Sequence, residues 1–245
     1  MTASVLKSIG QGTVRDSSLF IPLLCPTYAF QVPGADMAKS FGVSSAIGIQ
    51  FFIKTKGKWI FGMSGDFIFS QNVRQTGMLD SITTTNPPGM LIASVGKLSD
   101  RQFSERGFQV FLKFGRLFSA WGPNPNSGIM ATAGLGFLEH QIRIDLIDGT
   151  DQIVPQLNAE MRKGYDRLTN GIAFNEYIGY LYMGNRRIAN FFFGLEVTEG
   201  FTQDRRFDYD LMKQNNTVQT DLLYSLRVGW IIPFYKKQPK AFYMY

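Results

Sequence analysis

The sequence contains one cysteine and one histidine in 245 residues. A single cysteine excludes an intramolecular disulfide and a thiolate metal site, and a single histidine excludes a histidine-rich metal centre. Cys25 falls among small residues on one side of a candidate strand, where a thiol behaves as a small buried apolar group. We therefore expect no metal site and no other cofactor.

Long apolar runs are also missing. No stretch approaches the ~18 consecutive apolar residues of a membrane helix. Met1 to Asp16 lacks the apolar core of ~7–15 residues that a signal peptide carries, so an exported protein of this sequence would be numbered from its mature start. Charged residues make up only 18% of a chain that holds 22 Phe and 10 Tyr. A bilayer protein of this kind must be a closed barrel, because lipid cannot satisfy open sheet edges.

The net charge of +6 does not by itself identify a partner. The basic residues are scattered over turns and the C-terminal tail, for example at Lys56, Lys58 and Lys236, and do not gather on one helix. A nucleic-acid interface normally concentrates such charges on one surface, so we expect no nucleic-acid partner.

The stretch from Ile188 to Tyr235 shows the plainest alternation in the chain. A period of two is that of a β-strand, whose successive side chains point to opposite sides of the sheet. One side is small or polar and carries Glu196 and Arg227, which suits a crowded lumen; the other is continuous and apolar, which suits lipid. The residues expected to face lipid are Phe191, Phe193, Leu195, Tyr224, Leu226 and Trp230.

The same alternation recurs along the chain and predicts an all-β fold, an eight-stranded antiparallel up-and-down transmembrane β-barrel over residues 19–235. Long and short connections alternate, as in outer-membrane barrels with outside loops and short periplasmic turns. The loops are predicted at 33–42, 71–105, 144–165 and 204–217. Both termini are then periplasmic, as an N-terminal segment 1–18 and a C-terminal tail 236–245.

Two positions disturb this pattern. Near Leu138 the alternation changes phase, which indicates a β-bulge or the edge of the bilayer. Glu176 falls on the lipid-facing side of its strand, which a second bulge or a contact with a partner protein would explain.

Eight strands enclose an interior that side chains fill, so we expect no transport pore. Four charged residues point inward: Asp66, Lys113, Glu196 and Arg227. Two acids and two bases predict a network that neutralises its own buried charge. A proton path or a catalytic site is the alternative.

His140 stands near the outer end of the fifth strand. Small outer-membrane barrels that modify lipids set a histidine beside a serine at the barrel rim, so His140 is a candidate catalytic residue; the alternative is an ordinary interfacial residue. A second alternative for the whole chain is a soluble ligand carrier of lipocalin type, with the aromatic face turned inward.

Several segments resemble a largely uncharacterised family of outer-membrane β-barrel proteins of Bacteroidota, over about Leu19 to Tyr245. The segments are Phe41-Gly42, Arg106-Gly107-Phe108, residues 122–128 (GPNPNSG), residues 163–171 (KGYDRLTNG) and residues 228–236 (VGWIIPFYK). The resemblance implies an outer-membrane location and a barrel fold and carries no catalytic residues with it. The closest functional neighbours of this family in those bacteria are accessory barrels attached to large outer-membrane machines, for barrel insertion or type IX secretion.

We therefore expect a non-enzymatic structural or accessory subunit of an outer-membrane protein complex. Its partners would be outer-membrane lipids and other proteins. Because a filled lumen leaves only the outer surfaces for function, the loops 71–105 and 144–165 are the candidates for outside contacts.

Overall fold

The computed structural model describes residues 18–94, 96–147, 154–158, 160–184 and 190–234. Eight long antiparallel strands dominate these residues, and they are numbered here in chain order. They are β1 (Ile21–Ala35), β2 (Ser44–Lys54), β3 (Trp59–Ser70), β4 (Arg101–Ser119), β5 (Gly128–Leu146), β6 (Thr169–Met183), β7 (Asn190–Asp204) and β8 (Val218–Trp230). Most of the predicted N-terminal segment, the tail and the turn at Arg186 and Arg187 lie outside the described residues.

Each strand pairs with its neighbours in sequence, and β8 closes the ring by pairing with β1. The closing register runs from Thr27 opposite Gly229 to Ala35 opposite Asp221. Ile232–Pro233 continues the edge of β8 along the first residues of β1. The predicted eight-stranded antiparallel up-and-down barrel is therefore confirmed. Long connections gather at one end, called here the loop end, and short ones at the other, the turn end.

The outer wall of the barrel is apolar. The six side chains predicted to face lipid all point outward and are 39–62% exposed. Aromatic rings lie on neighbouring strands near the turn end, where Trp59 stacks on Phe114 and Tyr182 stacks on Phe191. A soluble lipocalin would bury this face, so that alternative is wrong. The fold is that of a barrel whose wall contacts hydrocarbon.

Among the described residues, no helix is both long and apolar enough to cross a membrane.

Of the two explanations for the change of phase near Leu138, a bulge or the edge of the bilayer, the bulge is absent. β5 keeps an unbroken register with β4, where Gln109 lies opposite Leu138 and Gly107 lies opposite His140. What changes is polarity. Beyond Phe137 the outward positions become Glu139, Gln141 and Arg143, while the inward Leu138, Ile142 and Ile144 are buried. The apolar residues therefore move from the outward to the inward positions without any change of register, because here the wall leaves the bilayer and begins to enclose an apolar core.

Strands β4 and β5 are longer than predicted. Each has 19 residues, whereas roughly 9–11 suffice to cross a bilayer, so both project beyond it at the loop end. The loop predicted at 71–105 consequently shortens to 71–100, and the loop predicted at 144–165 moves to 147–168.

The loops at this end have structure of their own. They contain the short helix α1 (Met37–Ser40), the 3-10 helices Gly77–Ile82, Pro155–Leu157 and Met161–Gly164, and the strand pairs Leu91–Ile92 with Leu98–Ser99 and Phe207–Asp208 with Lys213–Gln214. Met37, Met78, Leu79 and Leu157 from these loops pack with Ile142 in one buried cluster. Apolar burial thus holds the loops onto the barrel mouth.

Close packing inside the wall explains one glycine on β5. A Cβ at Gly136 would lie 1.9 Å from the carbonyl oxygen of Val110 and 2.6 Å from Cδ1 of Phe111. Because Phe111 is fully buried in the lumen, no side chain fits at Gly136 without moving the neighbouring strand.

The wall assignment predicts unequal effects of two new charges. Leu195→Arg places a cation on the lipid-facing side of β7 and should lower the free energy of unfolding by about 2–4 kcal/mol. Gln102→Arg, on the projecting part of β4 opposite Asp145, should change it by less than about 0.5 kcal/mol. Guanidinium unfolding of the chain in lipid vesicles measures both. Equal effects would mean that Leu195 does not face hydrocarbon.

Candidate functional site

Four charged side chains from four strands meet inside the barrel. The guanidinium of Arg227 donates to both carboxylate oxygens of Asp66, with N···O distances of 2.7 and 3.1 Å. It also donates to Oε1 of Glu196 at 2.6 Å, and Nζ of Lys113 donates to Oε2 of the same carboxylate at 2.9 Å. All four side chains are at most 1% exposed. The structure thus brings together all the inward charges named from the sequence.

Neutral polar groups complete the shell around Asp66. The hydroxyl of Thr27 donates to Oδ1 of Asp66 at 3.2 Å, and the side-chain amide of Gln109 donates to Oδ2 at 3.2 Å. Gly48 lies directly opposite on β2, where a Cβ would come within 2.3 Å of Oδ1 of Asp66. The missing side chain at Gly48 therefore makes room for the carboxylate.

Apolar layers close the lumen on both sides of this charged layer. Toward the turn end, Leu23, Phe52, Leu117 and Phe192 belong to one buried cluster. Toward the loop end lies the cluster around Ile142. The sequence analysis treated the inward face as small and polar, which is wrong near the turn end. In the described residues, inward Leu and Phe therefore fill that part of the lumen with packed side chains.

His140 lies inside the barrel near the loop end. Its Nε2 is 2.9 Å from Oδ2 of Asp221, and the hydroxyl of Thr202 donates to the same oxygen at 2.5 Å. The edge of the Phe41 ring meets the imidazole, with centroids 5.3 Å apart. Only 4% of His140 is exposed, so it is not the interfacial residue that the sequence allowed. The alternation placed it at the outer end of β5 but did not identify Asp221.

A cup opens above His140 at the mouth of the barrel. Its lining includes Asp36, Arg167, Asp204 and Asp208 beside the His140–Asp221 pair. Nζ of Lys39 and the backbone amide of Thr220 both donate to Asp36, and these hydrogen bonds hold the pKa of its carboxyl below the ordinary range. In the described residues, Nε2 of His140 contacts Asp221, and Nδ1 of the same ring has no hydrogen-bond partner.

No group of three or more His, Cys, Asp or Glu side chains in the described part of the chain is arranged to hold a metal ion.

Two acidic residues stand on the apolar wall. Glu176 on β6 is exposed and lies in unbroken register between Ala133 and Val197, so the bulge considered for it is absent. Glu199 on β7 is also exposed and lies opposite Phe174. The sequence analysis overlooked Glu199, although its odd number gives it the parity of Phe193 and Leu195.

Comparisons with known proteins give fold-level likenesses. No protein-family model matches the chain, and no curated relative was found at a significant level. Among solved structures, Ail, the attachment invasion locus protein of Yersinia pestis, has 8% identity and a TM-score of 0.42, covering 87% of this chain and 99% of that one. Neisserial surface protein A has 11% identity and a TM-score of 0.42, covering 87% and 97%. The outer membrane protein OprG of Pseudomonas aeruginosa has 10% identity and a TM-score of 0.37, covering 89% and 98%.

Removing one member of the charge network should be costly, and removing a matched pair less so. Arg227→Met leaves the carboxylate of Asp66 and Oε1 of Glu196 without a cation. It should destabilise the barrel by about 3–5 kcal/mol. Asp66→Asn in the same chain restores charge balance, because Lys113 still pairs with Glu196, and should recover much of that loss. Guanidinium unfolding in vesicles tests this. A double variant no more stable than Arg227→Met would show that the charges are not coupled.

Proposed function

We propose that this chain is a non-enzymatic outer-membrane barrel that serves as a structural or accessory subunit of an outer-membrane protein complex. The observation that supports the proposal is a lumen occupied by side chains in the described part of the chain. Arg227, Asp66, Glu196 and Lys113 fill its charged layer, and apolar layers lie on both sides. Because a packed interior offers no route for solutes, function falls to the outer surfaces.

Two outer surfaces support a role in binding. At the loop end, buried side chains such as Met78 and Leu157 pack the described parts of the loops 71–100 and 147–168 onto the barrel mouth, and these parts offer a built surface. On the wall, Glu176 and Glu199 interrupt the apolar band. Polar groups in a lipid-facing wall are expensive, and contact with another protein is one way to offset that cost.

The orientation is part of the proposal. Long loops face outside and short turns face the periplasm in outer-membrane barrels. The turn end, which carries the tight turn between Lys54 and Trp59, is therefore assigned to the periplasm, together with both termini. The resemblance to barrels of Bacteroidota directs the choice of complex toward machines for barrel insertion or type IX secretion.

Purification from native membranes tests the accessory role. An affinity-tagged chain, cross-linked in cells and extracted in mild detergent, should co-purify in fixed ratio with components of one outer-membrane machine. A tagged barrel of similar abundance from the same cells serves as the control. Recovery of the chain without any protein other than itself, from cells in which cross-linking succeeds for the control, would contradict the role.

A lipid-modifying enzyme is a second candidate, and the His140–Asp221 pair is the observation in its favour. The imidazole faces the barrel interior, however, whereas the lipid acyl chains contact the outer wall. We therefore expect His140→Ala to leave the lipid A composition of the producing cells unchanged, as measured by mass spectrometry. Asp221→Asn is the matched variant, because it removes the charged partner but keeps the ring. A shift in acylation with both variants would favour the enzyme.

A further inference from the structure

The cup at the barrel mouth has the His140–Asp221 pair as its floor. Both residues line the cup and are almost fully buried, with 4% of His140 and none of Asp221 exposed. Oδ2 of Asp221 is contacted by Nε2 of His140 and by the hydroxyl of Thr202. Oδ1 of Asp221 and Nδ1 of His140 have no hydrogen-bond partner in the described part of the chain. The floor therefore holds two buried polar atoms whose hydrogen bonds are unmade, a state that native structures rarely leave unsatisfied.

Both of these atoms are hydrogen-bond acceptors. An ionised carboxylate only accepts hydrogen bonds, so Nε2 of His140 carries the proton that lies between the ring and Asp221. In the neutral imidazole, Nδ1 then has a lone pair and no proton. The hydroxyl proton of Thr202 is already donated to Asp221. The floor consequently matches a ligand that donates hydrogen bonds.

The charges around the cup favour a cationic donor. Four aspartates line it, together with the basic side chains of Lys39 and Arg167. Nζ of Lys39 is 2.7 Å from Oδ1 of Asp36, and Nη2 of Arg167 is 3.5 Å from Oδ2 of Asp208. These two pairs leave the charges of the other two aspartates uncompensated, so the lining is net negative while the imidazole is neutral.

Asp204 is one of those two aspartates, and Asp221 is the other. Asp204 lies opposite Thr169, which in turn lies opposite His140, so its carboxylate is at the height of the floor. Oδ1 of Asp204 accepts the backbone amide of Arg206, and the described residues form no ion pair with Asp204. The neighbouring guanidinium, that of Arg206, pairs with Asp166. Two buried carboxylates thus share one end of the lumen without a basic side chain of their own.

The size and composition of the cup indicate a small organic cation. Its volume is about 360 Å³, at the small end of the range for ligand sites. Within the described ranges, no three His, Cys, Asp or Glu side chains are placed to bind a metal ion together. A primary ammonium group combines a positive charge with three N–H donors. It therefore matches two carboxylates and one imidazole lone pair.

We propose that the cup is a binding site for a primary alkylammonium group, held over the His140–Asp221 floor by the carboxylates of Asp204 and Asp221. A free amine and the lysine side chain of a peptide carry this same group, and the experiment separates the two sources. The site does not depend on the accessory role proposed above.

Calorimetric titration of the purified full chain in zwitterionic detergent micelles tests the site. The probes are 1,5-diaminopentane and an acetylated Gly-Lys-Gly amide, with pentane-1,5-diol as the uncharged match. At least one ammonium probe should bind, and the diol should not. Binding should persist at about 0.15 M salt, because salt screens a buried charge pair much less than an exposed one. The probe that binds identifies the source as a free amine or a peptide.

Substitutions of single carboxylates test how the probe is held. Asp221→Asn and Asp204→Asn each remove one charge and should weaken binding by roughly ten- to a hundredfold, as expected for a charge-assisted hydrogen bond. Asp145→Asn is the matched control, because Asp145 lies at the same end of the barrel but outside the cup, beside Arg143. It should change the affinity by less than about twofold.

A tethered cation tests the site without altering the floor. Gln219 lines the cup two residues before Asp221 on β8, so both side chains point to the same side of the sheet. Gln219→Lys supplies an ammonium group from the chain itself and should abolish binding of the probe. Gln219→Met, which is uncharged and of similar size, should preserve it. Circular dichroism confirms that each variant is folded.

Three results would overturn the inference. The first is that neither ammonium probe binds the unaltered chain, and the second is that the diol binds as tightly as the diamine. The third is that folded Asp204→Asn and Gln219→Lys variants bind the probe as tightly as the unaltered chain. The third comparison remains decisive even if Asp221→Asn fails to fold, because neither of its variants changes the His140–Asp221 pair.

Discussion

The structure depends on neutralising one guanidinium in the barrel interior. Arg227 is fully buried and contacts two carboxylates, so Asp66 on β3 and Glu196 on β7 must both point inward at its depth. A shift of one residue in the pairing register of any of these strands would point a charged side chain outward into lipid and leave its partner unpaired. The network therefore fixes the register of strands on opposite sides of the barrel, while it closes the lumen that they enclose.

The outer wall of the barrel contacts lipid over part of its height and water over the rest. Over the bilayer, the outward side chains of β5 are Ala133, Leu135 and Phe137, and the inward ones are Thr132, Gly134 and Gly136. Beyond Phe137 the same continuous strand reverses its polarity, because its outer face meets water and its inner face meets the loops. The barrel is thus a membrane protein over part of its height and an ordinary protein with an apolar core over the rest. That core supports the His140–Asp221 pair and the cup above it.

Because side chains occupy the described lumen, the outer surfaces are where we look for function. The cup at the loop end and the wall around Glu176 differ in what they offer. The first is a water-facing recess with paired charges such as Asp36 with Lys39. The second carries the exposed carboxyl groups of Glu176 and Glu199 on an otherwise apolar face. A polar group costs more free energy in hydrocarbon than in water, so these carboxyl groups are costlier to the barrel than the charges of the cup.

The alternation of side chains by itself determined the eight strands, the face of most strand residues and the members of the charge network, because a period of two assigns successive residues to opposite sides of the sheet. It did not determine which inward residues meet. Arg227 reaches Asp66 across 161 positions and His140 reaches Asp221 across 81, and such contacts depend on the stagger of the closed barrel. Tertiary structure likewise decided three other features, since each depends on what lies at the same height on other strands. They are the projecting ends of β4 and β5, the unbroken register at Leu138 and Glu176, and the apolar layer at Phe52 and Phe192.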